Sequence, residues 1–126
     1  MSIGDMKALE RAREDFYRAI RSSEVYVRFE RVKKALEGQE EKKQIIDAFR
    51  ERAYRLSDSS EPLDHMNEIS ELFVTRRQIR KDPLIDEYLT AEHEYCRMIQ
   101  QICNDLIMLS DVQIDAFEER IRVTQE

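Results

Sequence analysis

Apolar residues recur every three or four positions along most of this chain, the spacing that draws one stripe along an α-helix. The longest such stretch opens at Asp82-Pro83 and carries Leu84, Tyr88, Ala91, Tyr95, Met98, Ile102, Leu106 and Leu109 without another proline or a glycine. Ile85, Leu89, Cys96, Ile99, Cys103 and Ile107 form a second set, rotated by about 100° at 3.6 residues per turn. Two apolar flanks call for two neighbours. The spacing predicts one helix over 83–123, and about 40 residues at roughly 1.5 Å each would make a rod of about 60 Å. That exceeds the diameter of a compact domain of this size, so part of the rod is expected to meet another chain. Ser110-Asp111 is a candidate interruption, because the apolar register then shifts to Ile114, Phe117 and Ile121.

Upstream, four shorter helices are expected. The first, over 5–21, starts after Ser2 or Asp5, which form an S-x-x-D capping pattern, and is expected to bury Met6, Leu9, Phe16 and Ile20. Ser22-Ser23 offers a break and a fresh cap for a helix over 23–37 that carries Val25, Phe29, Val32 and Leu36. Gly38 suits the left-handed position after a helix end. A third helix, 40–56, carries Ile45, Ile46, Phe49, Ala53 and Leu56. Ser57-Asp58-Ser59-Ser60-Glu61-Pro62 reads as a linker, followed by a helix over 62–80 expected to bury Leu63, Met66, Ile69, Leu72, Phe73 and Ile79. Short connections between such helices imply antiparallel neighbours. The expected fold is all-α: a single domain over 1–126, with antiparallel helical hairpins packed on the long C-terminal helix, in an oligomeric bundle.

Composition narrows the choice further. With 126 residues and 41% apolar content the chain can build a core, and its two glycines and two prolines are too few for the tight turns of sandwiches and barrels. Charged residues make up 38% of the chain with both signs interspersed, as on exposed helix faces. The net charge of −6 argues against a broad footprint for nucleic acid or anionic membrane. No run approaches the roughly 18 apolar residues of a membrane span, and Met1-Ser2-Ile3-Gly4-Asp5 lacks a signal peptide's apolar run. A cytoplasmic protein without membrane insertion is expected.

Candidate chemistry is sparse. Cys96 and Cys103 lie seven apart on one predicted helix, about 10 Å along its axis, too far for an intrachain disulfide. His93 and Cys96 have a spacing that could supply two metal ligands, yet a structural zinc needs four, and the other histidine, His65, has no cysteine near it. Di-iron bundles use Glu-x-x-His, but Pro62 precedes His65 and Thr90 precedes His93 at that spacing. There is no G-x-S-x-G turn and no glycine-rich phosphate loop, since Gly4 and Gly38 are isolated. No catalytic, metal or cofactor residue is assigned, and no enzyme is expected.

Two surfaces suggest contacts instead. Arg76, Arg77, Arg80 and Lys81 complement a helix C-terminus and form a candidate patch for an acidic partner. Leu84, Tyr88, Tyr95, Ile99 and Ile102 on the long helix are the candidate subunit interface, with the two tyrosines suited to a site having one apolar and one wet side.

Three segments, Ala19-Ile20-Arg21-Ser22-Ser23-Glu24-Val25-Tyr26, Gln44-Ile45-Ile46-Asp47-Ala48-Phe49-Arg50 and Asp82-Pro83-Leu84-Ile85-Asp86-Glu87-Tyr88-Leu89-Thr90-Ala91-Glu92, resemble in order and spacing the bacterial YlbF/YmcA family over about residues 5 to 115. The resemblance implies a small all-α protein forming homodimers, higher homo-oligomers or mixed assemblies with family paralogues. It implies a non-enzymatic regulatory adaptor of the kind that acts in competence, biofilm formation and sporulation. It leaves two alternatives open: an RNA-processing regulator acting on an endoribonuclease complex, and a metal- or iron-sulfur-binding regulator. Relatives linked to iron-sulfur binding carry a cysteine-rich C-terminal tail, whereas here no cysteine follows Cys103.

Overall fold

The computed structural model of the protein describes residues 2–58 and 66–109. It contains α1 (Ile3–Ser22), α2 (Glu24–Glu37), α3 (Glu40–Ser57), α4 (Met66–Ile79) and α5 (Pro83–Leu109), and among the described residues there is no strand. The fold is all-α.

Local chemistry accounts for the helix ends. The Ser2 hydroxyl accepts from the Asp5 N–H at 3.1 Å, capping α1. Ser23 is the single residue between α1 and α2, and its extended backbone, φ −68° and ψ 148°, breaks the helix. Its hydroxyl donates to the Ile20 carbonyl at 2.6 Å and accepts from the Tyr26 N–H at 3.2 Å, so one side chain closes α1 and opens α2. Asp82 opens α5: its carboxylate accepts from the N–H groups of Leu84 and Ile85 at 2.9 and 3.3 Å, and Pro83 takes the first helical position, where an N–H would go unused. Gly38 departs from expectation. Its φ of −89° lies in the ordinary region, and a Cβ there would meet nothing within 4 Å, because the chain turns directly from α2 into α3 without a left-handed residue.

The chain divides into two compact units, Met1–Glu92 and His93–Glu126. In the first, Leu36 of α2, Ile46 of α3 and Ile85 of α5 form the core, with Ile79, Leu84, Tyr88 and Leu89 packed against it. Cross-helix pairs set the directions. Lys42 meets Asp82 and Arg50 meets Glu92, so α3 runs parallel to the start of α5. Arg31 meets Glu87 while Leu36 packs with Ile85, so α2 runs antiparallel to it. Arg52 bonds Glu71 and Thr75 and fastens α3 to α4.

Two expectations about burial are overturned. In α1, Met6, Leu9 and Phe16 are exposed and Ile20 only half-buried, so the helix has no buried residue. In α4, Met66 and Phe73 are exposed, Ile69, Leu72 and Ile79 are half-buried, and none is buried. Both helices have apolar side chains at helical spacing, and the described elements cover them only in part, with Ile79 reaching the core while Met6, Leu9, Phe16, Met66 and Phe73 stay open. In the second unit the described residues are His93–Leu109 of α5, where Tyr95, Met98, Ile99, Ile102 and Ile107 are half-buried and Leu106, Met108 and Leu109 exposed. Leu63, His65, Ser110, Ile114, Phe117, Ile121 and the expected continuation of α5 to 123 lie outside the described residues.

Candidate functional site

Polar residues of the first unit converge where α3 meets α5. Arg50 reaches across to the Glu92 carboxylate and donates to the Tyr88 hydroxyl at 3.2 Å, while that hydroxyl donates to Glu92 at 3.0 Å. The guanidinium lies over the Tyr88 ring, 5.3 Å from its centroid, and Phe29 of α2 stacks on the same ring at 5.8 Å. Burial alone would lower the Arg50 pKa, but the bonds to Tyr88 and Glu92 outweigh it and hold the group above its ordinary value. Burial pushes the Tyr88 phenol up, although the Arg50 bond opposes it. Both groups therefore keep the protonation state that closes the network.

A second tie uses Asp82. The oxygen opposite its helix-capping one pairs with the Lys42 ammonium at 2.9 Å, and that bond, helped by the two backbone N–H groups, holds the carboxyl below its usual range. A third joins Arg80 to Asp86 at 2.8 Å and to Thr90 at 3.3 Å. Such ion pairs, partly open to solvent, add little stability individually, but the first two fix the direction and register of α5 on α3, and the third holds the turn between α4 and α5 against α5.

Beside these ties lies a groove of about 200 Å³, floored by Leu36, Ile46 and Tyr88 and rimmed by Lys33, Lys43, Glu37 and Asp47. It is smaller than the roughly 300 Å³ of the smallest usual ligand pockets. Its rim holds two cations and two anions rather than an activated nucleophile beside a base.

The residues anticipated as an interface are separated by their surroundings. Leu84 and Tyr88 pack against the core of the first unit, while Tyr95, Ile99 and Ile102 are half-buried in the second. Of the basic patch, Arg80 is held by Asp86, whereas Arg76, Arg77 and Lys81 are exposed. Cys96 and Cys103 are free and exposed. Among the described residues no three His, Cys, Asp or Glu side chains gather as metal ligands, and no helix is long and apolar enough to cross a membrane.

Sequence reasoning missed the Arg50–Tyr88–Glu92 network and the exposure of α1. The network had a signal: Arg50 and Glu92 end two of the segments that carry the family resemblance, and Tyr88 lies one turn before Glu92. The exposure of α1 had none, because an amphipathic stripe looks the same whether its cover comes from its own chain or another.

Fold and site together define an all-helical scaffold whose polar clusters align helices. A family model described as "Control of competence regulator ComK, YlbF/YmcA" matches residues 9–108. The chain belongs to this family, which is a regulatory one linked to the control of competence. No curated protein and no solved structure matches it.

Proposed function

We propose that this chain is a non-enzymatic regulatory adaptor that works in the cytoplasm by binding proteins, the first of them a second copy of itself or a family paralogue. The observation that carries the reading is an inversion of the usual burial. Among the described residues five hydrophobic side chains are buried, while fourteen large ones are exposed, including Ile3, Met6, Leu9, Phe16 and Tyr17 on α1. Scattered exposed apolar residues are ordinary, but a whole amphipathic helix without a buried side chain marks a surface that another molecule covers. Ile99 and Ile102 of α5, with Tyr95, supply a second contact, whereas Leu84 and Tyr88 serve the chain's own core.

Light scattering after gel filtration tests the reading through Leu9→Asp and Phe16→Asp. The parent protein is expected to run as two or more chains, and each variant to shift toward one chain with its helicity retained, because neither position belongs to the core. A parent protein that runs as one chain, with the variants unchanged, would refute it.

A further inference from the structure

We propose that the face of α4 carrying Phe73, Arg76 and Arg77 docks an acidic protein segment that bears an apolar side chain beside its carboxylates. The proposal does not depend on self-association. Phe73 is 59% exposed, Arg76 and Arg77 follow it by three and four residues and share its face of α4, and Arg80 stands just past the helix end. They line a shallow groove of about 580 Å³.

The charges there are not neutralised locally. Arg76 and Arg77 are exposed and make no ion pair with the described residues, while Glu71, the acid nearest them on the same helix, is engaged by Arg52 of α3. Arg80 is held by Asp86 and Thr90, so it forms a fixed wall while Arg76 and Arg77 stay available. Complementing the end of α4 would employ the two arginines, but it gives no role to the bare aromatic ring between them.

Charge complementarity selects the occupant. Two arginines beside an apolar ring match one or two carboxylates flanking an aliphatic or aromatic side chain, with the guanidinium fork taking a carboxylate through two bonds. Single-stranded RNA fits less well. Its binders stack successive bases on several aromatics along a continuous basic track, whereas here one ring is available and the chain around the patch has a net charge of −6, which repels a long polyanion.

Fluorescence anisotropy with the full chain tests this. The probes are a labelled twelve-residue peptide of glutamate and leucine, its lysine counterpart and an oligouridylate of equal length. The acidic peptide is expected to bind at low salt and to weaken as salt rises. Arg76→Gln/Arg77→Gln should weaken it at least ten-fold and Phe73→Ala several-fold, while Arg11→Gln on α1 leaves it unchanged. All substituted positions are exposed, so helicity checked by circular dichroism is expected to be kept in each variant. Absence of binding by the parent protein, equal binding by the double variant, or preference for the oligouridylate overturns the proposal.

Discussion

Ile45 and Ile46 are adjacent isoleucines on α3 with opposite surroundings, and replacing each with alanine separates burial from every other effect of the change. Ile46 is 3% exposed within the Leu36–Ile85 core, and Ile45 is 40% exposed. Removing three carbons from Ile46 forfeits about 0.8 kcal/mol each, roughly 2.5 kcal/mol in all. The unfilled space adds to this, for a total of about 3 kcal/mol. The partly buried Ile79, Leu84, Tyr88 and Leu89 can relax into the void, which keeps the cost in the lower part of the usual range. At Ile45 much of the side chain already faces water and no closed cavity forms, so the loss is about 1 kcal/mol. Alanine's better helix propensity, worth a few tenths of a kcal/mol, favours both variants alike and cancels in the difference. Urea unfolding followed by circular dichroism is expected to show the Ile46→Ala midpoint well below that of Ile45→Ala, by about 2 kcal/mol at unchanged slope. Equal losses, or a larger one at Ile45, would refute the placement of the core between α2, α3 and α5.

Three further outcomes follow from the helix ends and ties. Ser23→Ala removes the cap shared by α1 and α2 and should cost about 1 kcal/mol in the same unfolding assay. Asp82 has a native pKa below its unfolded value, so its contribution is fully present above the unfolded carboxyl pKa of about 3.9 and is lost as pH falls through the lower native value. Asp82→Asn should accordingly flatten the decline in stability seen on acidification in unfolding curves measured below about pH 4. Tyr88→Phe keeps the stack on Phe29 but deletes the hydroxyl between Arg50 and Glu92. It is expected to cost roughly 1 kcal/mol, and less when Arg50 is already Met, because the two share one network.

The fold was largely legible because helices announce themselves locally. Scarce glycine and proline and an apolar period of three to four identified the class, and Ser23 and Asp82-Pro83 marked breaks that depend on a few neighbouring atoms. Gly38 misled because residue type shows that a left-handed conformation is available but not that it is used. The positions of Met6, Leu9, Phe16, Met66 and Phe73 misled for a different reason. Periodicity says that a stripe must be covered, and only tertiary structure says by what. The Arg50–Glu92 contact joins residues 42 apart in sequence, a separation at which helical periodicity says nothing of pairing, and only their places at the ends of two family-like segments pointed to them. The candidate interface was blurred in the same way: Leu84 and Tyr88 belong to the same apolar set as Tyr95 and Ile102, yet the first pair meets the chain's own core.

In the proposed assembly a second chain laid over the uncovered apolar surface completes this small core. Thermal unfolding measured over roughly a hundred-fold range of protein concentration tests it most directly, since association stabilises only the assembled form. The midpoint is expected to rise steadily with concentration. A midpoint that stays constant, from a species of one 15.1 kDa chain, would contradict the claim.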